Sequence, residues 1–215
     1  MTTLTIVMTL IVVLGLALEA VNGNGGGHSL THALEVLKQG STAEKLKALE
    51  LLAKLAGMQV MPALVQALRD DNERVRAVAQ HVMWAIWLRS GNDEIDALMV
   101  EGIRLMEAQQ YPEAVEVFDQ IIARAPKFAE GYNKRATVFY LMLEFEKSIA
   151  DIHQTLELNP VHFGALSGMG LCYLGLVEPR IALEWFERAV AVNPNMDTIQ
   201  SYIQQIREYL RDQTL

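Results

Sequence analysis

The most regular pattern in the chain is a recurrence of small and apolar positions at a fixed interval through its C-terminal half. A step of 34 residues carries Gly102 to Ala136 to Gly170, and Ala114 to Ser148 to Ala182. The same step carries Phe118 to Ile152 to Phe186, and Pro126 to Pro160 to Pro194. Within a copy, apolar side chains return after three or four positions, as at Ala114, Val115, Phe118, Ile121 and Ile122, which is the period of a helix buried on one face. Columns that hold register over successive copies specify a repeated helix–turn–helix unit. The small column predicts mid-helix points where a second helix comes close, and the large column the side chains that fill the space between units. Each proline predicts the end of a second helix, because it lacks the amide proton and clashes with the preceding turn. Beyond the last proline, residues 197–211 carry one more apolar stripe (Ile199, Ile203, Ile206, Leu210) with a polar opposite face, as the end of a solenoid requires.

Upstream, residues 41–89 hold a second helical pattern. Ser41 and Thr42 are placed to cap a helix running to Ala56, and Gly57 stops it. Pro62 opens a helix containing Leu64, Val65 and Leu68; Asp70-Asp71-Asn72 makes a turn, and another helix begins near Glu73. This short stretch is expected to pack on the first helix of the repeat array and share its core. Trp84 and Trp87 lie one turn apart on one helix face, and are expected to fill the junction between the two parts.

The N-terminus differs again. Leu4 to Leu18 is almost wholly apolar and uncharged. As a helix this run spans roughly 22 Å, short of the ~30 Å hydrocarbon core, a length that suits a signal peptide more than a full span. No Lys or Arg precedes it, so orientation is not readable, and both a cleaved signal and an anchor over residues 4–21 remain open. The glycine-rich residues 22–28 are read as a linker. The expected divisions are therefore 1–27 for the export or anchor segment and linker, 28–92 for the short helical segment, 93–194 for the repeats and 195–215 for a capping helix.

Composition narrows the function classes. A net charge of −8 without a basic stripe disfavours nucleic acid as a partner. A single cysteine, Cys172, excludes an internal disulfide framework and a cysteine-based zinc cluster, and its place inside a repeat helix reads as a buried small residue. His28 and His32 are spaced as two metal ligands would be but lack a third, and the remaining histidines are scattered. No glycine-rich loop lies between a strand and a helix. No catalytic residues, metal or cofactor are expected.

The repeat residues carry a family resemblance. Residues 95–194 resemble three consecutive tetratricopeptide repeats, through Leu98, Gly102, Leu105, Tyr111, Ala114, Phe118 and Pro126 in the first copy. The second matches at Tyr132, Ala136, Phe139, Phe145 and Pro160, and the third at Leu166, Gly170, Tyr173, Ala182, Phe186, Ala189 and Pro194. Pro179 and Thr155 depart from the pattern. The run from Pro62 to Ala79 resembles a HEAT repeat, in which an Asp of the turn and an Arg of the next helix interact; Asp70 and Arg76 hold those places. The stretches Trp84–Gly91, Glu130–Met142 and His162–Leu171 resemble a group of exported bacterial tetratricopeptide proteins, which implies an extracytoplasmic or membrane-associated location. The expected fold is all-α: a right-handed superhelix of three repeats and a capping helix, preceded by HEAT-like helices.

In that family the first helices of the repeats line a concave groove that receives a peptide or a helix. The resemblance puts Met99, Ile103 and Met106 there from the first copy, Asn133, Lys134, Thr137 and Tyr140 from the second, and Ser167 and Leu171 from the third. One subfamily grips a C-terminal carboxylate with Lys, Arg and Asn. Its positions fall here on Met99, Ile103, Lys134, Gly164 and Gly168, of which only Lys134 could serve. The leading expectation is a non-catalytic scaffold that binds a protein or peptide partner in this groove. The alternatives are a permanent structural subunit held through its convex or HEAT-like surface, and a small-ligand or enzyme role at the aromatic junction.

Overall fold

The computed structural model describes residues 25–213; the apolar run Leu4–Leu18 lies outside them. Eleven α-helices make up the described chain, and no strand occurs among the described residues. The N-terminal part is α1 (Gly25–Gln39), α2 (Thr42–Leu55), α3 (Met61–Ala67) and α4 (Glu73–Trp87). Three antiparallel pairs follow: α5 (Asp93–Glu107) with α6 (Tyr111–Arg124), α7 (Ala129–Leu141) with α8 (Phe145–Leu158), and α9 (Phe163–Gly175) with α10 (Pro179–Val192). The amphipathic α11 (Asp197–Asp212) closes the array, burying Ile199, Ile203 and Ile206 against α10.

One local boundary differs from the sequence reading. Gly25–Gly27, read as linker, form the first turn of α1. Glycine weakens a helix, but α1 draws its stability from Ala33 and Leu37, which are buried against the core of the N-terminal part.

The 34-residue columns have the physical meaning expected of them. A Cβ on Gly102 would lie 2.6 Å from the Phe118 ring, and one on Gly170 2.5 Å from Phe186. In the second repeat the pair is Ala136 with Ile152, both buried in one cluster. The methyl is admitted where the facing side chain is the smaller one. Ser148 uses its hydroxyl to tie three helices, donating to the Ala136 carbonyl at 2.8 Å and accepting from the Cys172 thiol at 3.2 Å. Burial pushes the Cys172 thiol up, against the opposing pull of Ser148, so it is a structural group rather than a nucleophile. Arg135 crosses the array outside this core. It grips Asp151 with two bonds of 2.7 and 2.6 Å and reaches Asp119 at 2.5 Å, which raises its already high pKa.

A second 34-residue column was not legible as a turn signal. Gln109, Leu143 and Val177 have φ of 59°, 61° and 61°, the left-handed conformation that usually calls for glycine. Each follows the end of a first helix. The next amide closes back on that helix, as Gln110 to the Leu105 carbonyl at 2.9 Å, Glu144 to Phe139 at 2.8 Å and Glu178 to Tyr173 at 2.8 Å. The repeated hydrogen-bonded turn holds residues that would avoid this backbone conformation alone.

The N-terminal part does not pack where the sequence reading expected. Its buried cluster runs from Ala33 to Trp87 and takes in Phe163 of the third repeat, with Val161, Val192 and Met196 against it. The first repeat's cluster receives only Leu88 from this side. Polar contacts explain the choice. Arg69 donates to the carbonyls of Ala191 and, at 3.2 Å, Val192, at the C-terminal end of α10 where helix carbonyls lack partners. Arg76 donates to Asn195 at 2.9 Å, Asn195 to the Leu68 carbonyl at 2.8 Å, and Asn193 to Gln80 at 2.8 Å. Arg76 meets Asp70 through the backbone carbonyl, at 3.0 Å, while the Asp70 carboxylate pairs with Lys45 at 2.6 Å.

Two outcomes follow for stability in thermal or chemical denaturation. Gly102→Ala is expected to cost about 1–3 kcal/mol, since the added methyl must displace a ring that is fully buried. Val177→Gly is expected to stabilise by about 0.5–1 kcal/mol, because Val177 is 80% exposed and gives up strain without losing packing.

Candidate peptide groove and its buried polar centre

The groove expected from the sequence lies along α5, α7 and α9, and the structure divides it. In the first repeat, Met99 and Ile103 are buried among Ile95, Leu105, Phe118 and Val138, and Met106 is half-buried against the same cluster. Met99 and Ile103 therefore belong to the core rather than to an open groove floor, because α5 turns that face onto its neighbours. In the second and third repeats, Asn133, Thr137, Tyr140, Ser167 and Leu171 come together around one cleft of about 170 Å³. Ala136, Ile152, Ala165 and Gly168 complete an apolar floor.

The polar groups of this cleft are partly committed already. The Thr137 hydroxyl donates to the Asn133 carbonyl at 2.9 Å, and the Ser167 hydroxyl to the Gly164 carbonyl at 3.0 Å. Asn133 spends one amide proton on Glu130 at 3.0 Å, leaving the other and its side-chain carbonyl for an incoming group. Lys134, beside the cleft, is 3.2 Å from Glu130 and 5.6 Å from the centre of the Trp84 ring. It is held as the counter-ion of Glu130.

Glu130 is the feature that sequence reasoning missed. Its side chain is fully buried, with His162 Nε2 at 2.9 Å and the Lys134 ammonium beside it. His162 caps the start of α9, where its Nδ1 accepts from the Ala165 amide at 3.0 Å. The ring proton must then be on Nε2, so His162 donates to Glu130. Burial alone would push the Glu130 carboxyl up. The Lys134 charge and the His162 and Asn133 hydrogen bonds outweigh it and hold the carboxyl down at about 2. The signal was present in the columns. Stepping by 34 from Asp96 gives Glu130 and then Gly164, an acid followed by a missing side chain, and neither position belongs to the family pattern.

The missing side chain is filled from elsewhere. Trp84 of α4 lies over Gly164, where a Cβ would come within 2.6 Å of the indole. Trp84 meets His162 and Phe163 edge-on, with ring centres 5.3 and 5.5 Å apart. Trp87 stacks on the His162 ring at 4.2 Å and an interplanar angle of 19°. The two tryptophans fill a junction, as expected, but with the third repeat. Among the described residues no group of three or more His, Cys, Asp or Glu is placed to hold a metal ion.

No family model matches the chain. A repeat-containing protein from Rhizobium etli, named as a TPR repeat-containing protein, is 31% identical over 140 residues, which cover 65% of this chain and 68% of that protein. The chain belongs to the tetratricopeptide-repeat family. A second relative, the Hsp70-Hsp90 organizing protein 1 of Glycine max, is 27% identical over 54% of the chain, which spans only 21% of that longer protein. Among solved structures, the Sgt2 TPR domain from Aspergillus fumigatus superposes with a TM-score of 0.54 at 21% identity, covering 57% of this chain and 83% of that one. The first TPR of Spaghetti (RPAP3), bound to an HSP90 peptide, gives 0.53 at 19% identity over 55% and 94%. These likenesses establish the tetratricopeptide fold.

The buried carboxylate sets an acid response. Its folded pKa, about 2, lies below the ordinary 4.5, so its stabilising contribution is present above pH 4.5 and lost as pH falls through that window towards 2. Urea denaturation over a pH series is expected to show this loss. Glu130→Gln should flatten that limb while lowering stability at neutral pH.

Proposed function

We propose that the chain is a non-catalytic adaptor that holds an extended protein segment against α7 and α9, with one apolar side chain seated in the cleft between them. The observation that carries this reading is the cleft itself, an apolar floor edged by the free amide proton and carbonyl of Asn133. At about 170 Å³ it matches one ring or branched aliphatic group, since a cavity of ~150 Å³ holds benzene. It falls short of the ~300 Å³ and upward typical of cofactor sites. The Spaghetti (RPAP3) domain supports a peptide as the occupant of such a fold, because its first TPR is bound to the HSP90 peptide SRMEEVD. The acidic tail of that peptide does not suit this chain, whose Lys134 is already paired with Glu130. A neutral segment with an aliphatic or aromatic anchor fits instead. A membrane-associated or extracytoplasmic setting is part of the proposal, supported by the apolar run Leu4–Leu18.

A fluorescence-polarisation screen of the full chain tests the reading, with neutral extended peptides carrying one Leu, Ile or Phe and matched peptides ending in an acidic tail. Neutral anchored peptides should bind, and Leu171→Glu should weaken them at least ten-fold while leaving the fold intact. Equal binding of acidic tails, or no effect of Leu171→Glu, would overturn it. The mass of the native protein decides the setting: a membrane-bound species that retains Met1, or a soluble one that begins beyond Leu18, supports it. A soluble cytoplasmic protein retaining Met1 removes it.

A further inference from the structure

We infer that the N-terminal helical part is a lid seated on the repeat groove, able to undock as a unit about the connector Leu88–Asn92. Three observations point to it. First, the lid carries its own core. Leu49, Leu52, Leu64, Leu68, Val75 and Met83 are fully buried within it, and the repeats add one fully enclosed side chain, Phe163, to that cluster.

Second, the contact across the groove is of a kind that can part. Trp84 and Trp87 lie against His162, Phe163 and Gly164, with Val161, Val192 and Met196 packed beside them, and a polar latch joins Arg69, Arg76 and Gln80 to residues 191–195. The indole N–H of Trp87 is buried with no hydrogen-bond partner among the described residues. A buried donor without an acceptor lowers the stability of the docked state.

Third, the connector changes allegiance at one residue. Arg89 is tied to the lid through the Ala53 and Lys54 carbonyls, Ser90 is tied to the repeats through Asp96, and next to them Gly91 has φ +82° and no neighbour within 4 Å of where a Cβ would lie. With the lid docked, Trp84 covers Gly164 and faces Lys134, while the cleft at Leu171 is open. With the lid away, the groove opens from the cleft back to His162, and Lys134 loses the ring that faces it. The lid is an autoinhibitory contact over the second and third repeats.

Hydrogen exchange on the full chain tests this without any ligand, so it stands or falls apart from the peptide reading. The latch variant carries Gln80→Ala and Asn195→Ala, which leaves the bonds of Arg76 to the Asp70 and Asp71 carbonyls inside the lid in place. Exchange in the peptides covering Lys134–Tyr140 and His162–Leu171 should rise about ten-fold, while peptides inside the lid, Leu49–Leu68, keep wild-type exchange. The inference is overturned if lid and repeats exchange faster together, as one cooperative unit, or if neither changes. Should the latch variant fail to fold, a second variant replaces Gln80 and Asn193 with cysteine, bridged by a short bifunctional maleimide. Bridging should slow exchange at His162–Leu171 relative to the unbridged protein, and unchanged exchange there would overturn the lid.

Discussion

A carboxylate without solvent contact joins the second repeat to the third, and much of the arrangement follows from the need to keep it charged. Isolated, a buried carboxylate would cost several kcal/mol, so Glu130 has to be surrounded by partners. Lys134 and Asn133 come from its own helix, one turn on. His162 comes from the next repeat, and its second nitrogen is already engaged in capping α9. That double duty fixes the tautomer and the orientation of the ring. The ring in turn offers a flat face, and Trp87 stacks on it.

The consequence is a groove of two unlike halves. Around Glu130 the first helices are roofed by α4, and the positive charge that a carboxylate ligand would need is spent internally. Two to three turns further along α7 and α9, at Thr137, Tyr140 and Leu171, the same helices are open and mainly apolar. The open half therefore offers shape and apolar contact rather than charge. Its tetratricopeptide scaffold is ordinary in the close approach of Gly102 to Phe118 and Gly170 to Phe186. What distinguishes the chain is the side chains that the repeats do not dictate.

The repeat scaffold was legible because its physics is local and periodic. A glycine facing a phenylalanine, or a proline after a helix, leaves the same mark every 34 residues. Helices α2 to α4 were legible for a similar reason, through Ser41, Pro62 and Asn72 at their starts. The left-handed turns at Gln109, Leu143 and Val177 were hidden because no glycine marks them. The docking of α4 was hidden for a different reason. Trp84 and Trp87 announce a buried face, but which repeat receives it depends on Asn193, Asn195 and the free carbonyls of α10, more than a hundred residues away. The groove residues were partly legible. Thr137, Tyr140 and Leu171 line the cleft, whereas Met99 and Ile103 are taken into the core by neighbours that only the three-dimensional arrangement reveals.

The central claim, that α4 covers the groove at the third repeat, is tested most directly by nuclear Overhauser contacts in the full chain. Cross-peaks from the Trp84 indole to the Gly164 α-protons, and from Trp87 to the His162 ring, are the expected result. Contacts of both tryptophans with α5, and none with α9, would contradict the account and return α4 to the first repeat.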